Sequence, residues 1–150
     1  AMGILLAIRL RRRRSAAPAA PLVPQRSPHA LARERLDHLR AAGGSLDAEP
    51  YTVEVSDIVR FYLESALQIP AREQTSEEFL LSLQSGADLP PVLREHMPAF
   101  LEQCDRVKFA RQDLAAPQRQ GLLETAETVI DVTDADLRQQ AEAPASPGNS

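Results

Sequence analysis

The sequence predicts an all-α fold, a small bundle of about five helices. Three observations point there. Apolar residues recur at steps of three and four through most of the chain, the spacing of one helix face. Start and stop signals bracket those stretches. The sequence contains no two convincing strands that could pair. A length of 150 residues suits one small domain with tails. The composition is 43% hydrophobic but only 4% aromatic, so the core must be built mainly from Leu, Val and Ala.

The chain opens with an apolar run, Met2 to Ile8, followed by Arg9, Arg11, Arg12, Arg13 and Arg14. A secretory signal carries its positive charge before the apolar run, and here the order is reversed. Apolar then arginine-rich is the pattern of a membrane helix ending on its cytoplasmic side. A full span needs roughly 20 residues. Residues 1–14 are therefore expected to be the end of a transmembrane helix plus its arginine cluster, and the sequence a fragment cut inside that helix. A soluble basic arm is the alternative, and an arginine arm for nucleic acid is a third reading. Charge weighs against the third. The first 14 residues hold five of the 17 basic side chains and no acid, so the rest sets 12 bases against all 21 acids. Such a body repels phosphates.

Residues 15–27 carry Pro18, Pro21 and Pro24 among alanines, the composition of a semi-rigid linker. The helical domain is expected over 28–133. Ser27 before Pro28 is a cap followed by a first-turn proline. Leu31, Leu36 and Leu39 then make a narrow apolar face, and Gly43 with Gly44 ends the helix. Tyr51, Val55, Ile58, Val59, Tyr62, Ala66 and Ile69 form the next stripe. Phe61, Leu63 and Leu67 widen it, so this helix is expected to be buried on more than one side. A short strand through Tyr51, Val53 and Val55 is the rival reading. Pro70 closes the element.

Thr75 and Glu78 match a capping box, in which each side chain bonds the other residue's amide. Phe79, Leu80 and Leu83 follow as the buried face, and Gly86 is the expected terminator. The next helix starts near Pro90 and Pro91 and carries Leu93, Met97, Phe100, Leu101 and Cys104. Pro98 inside it predicts a kink or two short helices. Asp105, Lys108 and Phe109 close the segment as an interaction or structural motif. Phe109 is expected in the core, because a chain short of aromatics has reason to bury one. Its loss to Ala would then cost about 3–5 kcal/mol. Lys108 is expected at the surface. In the competing reading the motif is a partner-docking tip, and both residues matter for binding instead. The last helix starts at Pro117 and carries Leu122, Leu123, Ala126, Val129 and Ile130. Its pattern decays near Thr133, and residues 134–150 are expected to be a disordered tail.

No nucleotide-binding, metalloprotease, calcium-loop or serine-hydrolase motif occurs. The single Cys104 excludes an internal disulfide and a cysteine-based zinc site. His29 and His38 are expected to face solvent, and His96 stands alone, so no metal set assembles. No catalytic residue, cofactor or metal is expected.

Several stretches carry a resemblance: HALARERLDHLRAAG, SDIVRFYLESALQIPAREQTSEEFLLSL and CDRVKFA, after the arginine cluster and linker. Tyr62 with Leu63, Thr75 to Glu78, and Lys108 to Ala110 are its most specific points. Over roughly residues 4–133 the chain resembles the cytoplasmic C-terminal region of bacterial BatD-like, aerotolerance-associated membrane proteins. Pro98 departs from that pattern. The resemblance implies a domain on the cytoplasmic side of a bacterial inner membrane, with a MoxR-type ATPase or a von Willebrand factor A protein as partner. It implies no catalytic residue. The expected function is a membrane-tethered helical interaction domain, a protein–protein adaptor and not an enzyme. The alternatives are a regulatory tail of a membrane enzyme whose catalytic domain lies upstream, and a soluble regulator with a nucleic-acid-binding arm.

Overall fold

The computed structural model describes residues 26–86 and 88–142. The arginine cluster, the linker up to residue 25 and the chain beyond residue 142 lie outside the described residues. Those described form five α-helices and no strand: α1 (Pro28–Ala42), α2 (Ala48–Leu67), α3 (Ser76–Ser85), α4 (Pro91–Ala110) and α5 (Ala116–Glu142). Single 3-10 turns at Gly43–Ser45 and Ala71–Glu73 join the first three. The all-α bundle expected from the apolar spacing is the observed fold, and the strand reading of Tyr51 to Val55 falls inside α2.

The second helix is the centre. Val55, Ile58, Val59, Tyr62 and Leu63 are all fully buried, spread over a face too wide for one neighbour to cover. α1, α4 and α5 close around it. α1 runs antiparallel to α5, with His29 beside Asp131 at one end and Gly43 bonded to Arg119 at the other. α4 runs antiparallel to α2, the start of α2 at Ala48 and Glu49 lying beside the end of α4 at Val107 and Lys108, and the short α3 packs on α4. Apolar side chains from all five helices form a single core.

Local chemistry places the ends. The Ser27 hydroxyl accepts from the Ala30 amide at 3.1 Å and starts α1. The capping box at α3 is complete. The Glu78 amide donates to the Thr75 hydroxyl at 3.2 Å, and the Thr75 amide donates to the Glu78 carboxylate at 2.9 Å. Gly86 ends α3 in an extended conformation. Its role is close approach, since a Cβ there would lie 2.4 Å from Leu89. Gly43 serves the same end, because a Cβ would meet the Tyr51 ring at 2.8 Å.

Four expectations need correction. α4 is one continuous helix across Pro98, so of the two readings offered there, the pair of short helices falls. Pro98 lies on the exposed side, where its ring meets solvent and not the core. α5 continues through Glu142, so no tail begins at residue 134. The apolar pattern does decay there, but polar pairs one turn apart sustain the helix: Asp134 with Arg138 at 3.0 Å and Asp136 with Gln140 at 3.0 Å. His29 is half-buried, not solvent-facing, with its Nε2 2.8 Å from Asp131. The antiparallel docking of α1 on α5 brings that pair together. Finally, Leu31 is exposed, and Ala32 takes its expected place in the core beside Leu36 and Leu39.

Charge fastens α1 to its neighbours. Arg33 and Arg40 both reach Glu127 of α5, at 2.9 and 2.6 Å. Burial pushes the Glu127 carboxyl up, but the hydrogen bonds and charges of Arg40 and Arg33 outweigh it and hold the group below the usual carboxylate range. Arg35 reaches Asp57 and Glu54 of α2 at 2.9 and 3.2 Å.

The complete capping box makes Thr75 a specific test of where α3 begins. Thr75→Ala should lower the unfolding free energy by about 1 kcal/mol in urea denaturation. Glu78→Ala should cost less, and the double variant should be less than additive. An unchanged midpoint for Thr75→Ala would mean that the helix starts elsewhere.

Candidate functional site: an exposed aromatic between two grooves

The residues singled out at the end of α4 meet at the molecular surface. Phe109 is 78% exposed, which overturns the expectation of a core anchor. The reason is helical phase. The buried face of α4 is Met97, Phe100, Leu101, Cys104 and Val107. Because α4 runs on to Ala110, Phe109 lies about 200° around the helix from Val107. It falls on a different stripe, after Pro98, Glu102 and Asp105 at steps of three and four. Lys108 is exposed as expected, and its ammonium sits 5.5 Å from the centre of the Phe109 ring.

Phe109 divides two grooves. The first, about 580 Å³, lies between α2, α3 and α4. Val53, Ser56, Arg60, Arg72, Glu77 and Lys108 help to line it. The second, about 610 Å³, runs between α3 and α4 over Leu80, Pro98, Leu101 and Ala110. Glu77 and Asp105 border both. Leu81, on the same short helix, is 64% exposed, and Val53 of α2 is 45% exposed.

The floor between the grooves is held by a polar relay through three helices. Arg60 of α2 donates to the carbonyls of Ala71 and Gln74 at 2.7 and 2.8 Å, and to the Ser76 hydroxyl at 3.3 Å. Ser76, in the first turn of α3, donates onward to Asp105 of α4 at 3.1 Å. The Arg60 guanidinium also lies over the Phe79 ring at 5.1 Å. Burial lowers its pKa from the usual arginine value, against the opposing pull of Asp105. Asp105 is thus a positioning group. It fixes the α3 start against the α4 end and sets the width of the second groove.

Cys104 sits beneath the surface, and burial pushes its thiol up to about 12. At neutral pH it is a protonated core residue without the thiolate that nucleophilic work requires. Among the described residues no group of three or more His, Cys, Asp or Glu could hold a metal ion. Among the same residues no helix is long and apolar enough to cross a membrane. The cluster at Arg9 and Arg11 to Arg14 lies outside them.

Asp105, Lys108 and Phe109, singled out together in the sequence, line the same groove, with Phe109 exposed and not in the core. The sequence reading missed Arg60, Ser76, Leu80 and Pro98. A signal for Pro98 existed in its spacing of seven from Asp105, two helical turns on one face. Arg60 carried none, because its partners are backbone carbonyls supplied by the turn after Pro70.

Replacing Arg60 removes donors from two carbonyls at once. Arg60→Ala should destabilise the fold by about 2–3 kcal/mol. Arg60→Lys should not restore it, since one ammonium cannot reproduce the forked geometry. Guanidinium-chloride titrations of both variants test this, and a Lys variant matching the parent would remove the relay from the account. Compared with protein-family models, curated proteins and solved structures, the chain matches none.

Proposed function

We propose that this chain is a membrane-tethered helical docking domain, a protein–protein adaptor and not an enzyme. It would face the cytoplasm from a bacterial inner membrane and capture a protein partner at the Phe109 surface. The observation that carries this reading is Phe109 itself. A large aromatic held 78% exposed, stacked by a lysine and flanked by two grooves, has the character of an interface anchor.

The arrangement of the bundle supports it. The chain enters at the start of α1, next to Asp131. The far end gathers Gly43 with Arg119, the Tyr51 hydroxyl donating to the Arg119 carbonyl at 2.9 Å, and the start of α2 beside Lys108. α1 spans about 22 Å between those ends. Phe109 thus lies towards the end of the bundle opposite the start of α1, an arrangement that suits a domain tethered through its N-terminus. The apolar stretch before Arg9 supports the tether. The resemblance to BatD-like proteins supports a MoxR-type ATPase or a von Willebrand factor A protein as the partner class.

The test uses Phe109→Ala and Lys108→Glu in the full chain. Both variants should unfold within about 0.5 kcal/mol of the parent. Phe109→Ala should weaken binding to the purified ATPase or von Willebrand factor A partner by more than about tenfold, as expected of an anchor. A variant that loses stability but keeps binding would return Phe109 to a structural role.

A further inference from the structure

The second groove is specific about the chemistry it can accept. Its floor is apolar: Leu80 from α3, and Pro98, Leu101, Phe109 and Ala110 from α4. Its rim is acidic. Glu77, Glu102 and Asp105 face a single cation, Arg106, and Arg106 is held by Glu102 at 2.5 Å. Among the described residues Glu77 makes no ion pair, and the nearest link from Asp105 is the Ser76 hydroxyl. The groove therefore offers apolar contact flanked by negative charge.

We propose that the groove between α3 and α4 binds an amphipathic helix of a partner protein, with an apolar row on one face and Lys or Arg along both edges. Such a helix lays its apolar row on Leu80, Pro98 and Phe109, as helices do in hydrophobic grooves. Its cations meet Glu77 and Asp105 across the rim, where complementary charge selects the partner and its direction. Phe109 forms the end wall, and Lys108 beyond it repels a cation that overshoots. This inference rests on the docking reading of the Phe109 surface and specifies the occupant.

Two synthetic peptides provide the test. Both carry the same leucine row on one helical face; one has lysines on its edges and the other glutamates. Each is titrated into the isotopically labelled full chain in a lipid nanodisc, at physiological salt, and followed by amide resonances. The lysine-edged peptide should shift Glu77, Leu80, Glu102 and Phe109 and bind about tenfold more tightly than its twin. Glu77→Lys should weaken it roughly fivefold with at most a small fall in melting temperature, since Glu77 sits in the first turn of α3, and Glu77→Gln should fall between. Stronger binding by the glutamate-edged peptide at these residues would overturn the charge assignment and leave the docking reading standing. Shifts confined to the acidic α5 surface would overturn the groove as the site, and the Phe109→Ala binding result would then decide the docking reading alone. Replacing Arg9 and Arg11 to Arg14 with Gln should leave the free groove resonances unmoved. Movement there would show the chain's own N-terminal segment as occupant and overturn the partner assignment.

Discussion

The bundle depends on one constraint: α2 is apolar over more of its circumference than one neighbour can cover. Val55, Ile58, Val59, Tyr62 and Leu63 must all leave water, and they do so only when α1, α4 and α5 pack around them together. That demand fixes the antiparallel pairing of α1 with α5 and of α4 with α2. It also leaves one side of α2 without a long partner helix. Arg60 occupies that side and holds the crossing from Ala71 to Ser76 with its guanidinium, which seats the short α3. The grooves beside Phe109 exist because α3 is only ten residues long and cannot cover the end of α4.

Most of this order was legible in the sequence, and the exceptions share a cause. The α2 stripe, the Thr75 cap and the α1 and α3 boundaries all follow from local chemistry, and the structure contains them. Phe109 was misjudged because its burial was argued from composition, from the shortage of aromatics, and not from helical phase. Counting turns from Val107 would have put it outside. The length of α5 was misjudged because only apolar periodicity was followed past Thr133, where Asp134 and Arg138 carry the helix instead. His29 could not be read at all, since its partner Asp131 is distant in sequence and meets it only when α1 docks.

The candidate site shows the same division. Asp105, Lys108 and Phe109 are near one another in the chain, so their association was visible. Arg60, Ser76 and Leu80 join them only through tertiary packing. The relay from Arg60 through Ser76 to Asp105 then does two things at once. It compensates a half-buried guanidinium, and it keeps α3 and α4 at a fixed separation. On the proposed docking reading, this relay preorganises the surface around Phe109, so that little ordering would be required on binding.

Exposure of Phe109 is the claim on which the functional account stands, and the chain has only four phenylalanines with which to test it. Fluorine NMR of the protein labelled with fluorophenylalanine, in the presence of a soluble paramagnetic agent, reads each ring separately. The Phe109 signal, assigned by its loss in Phe109→Leu, should broaden most. Phe79 and Phe100, both buried, should be protected, with Phe61 between them. Saturation with a docking partner should then protect Phe109 while leaving the other three unchanged. A Phe109 signal as protected in the free protein as that of Phe79 would contradict the account.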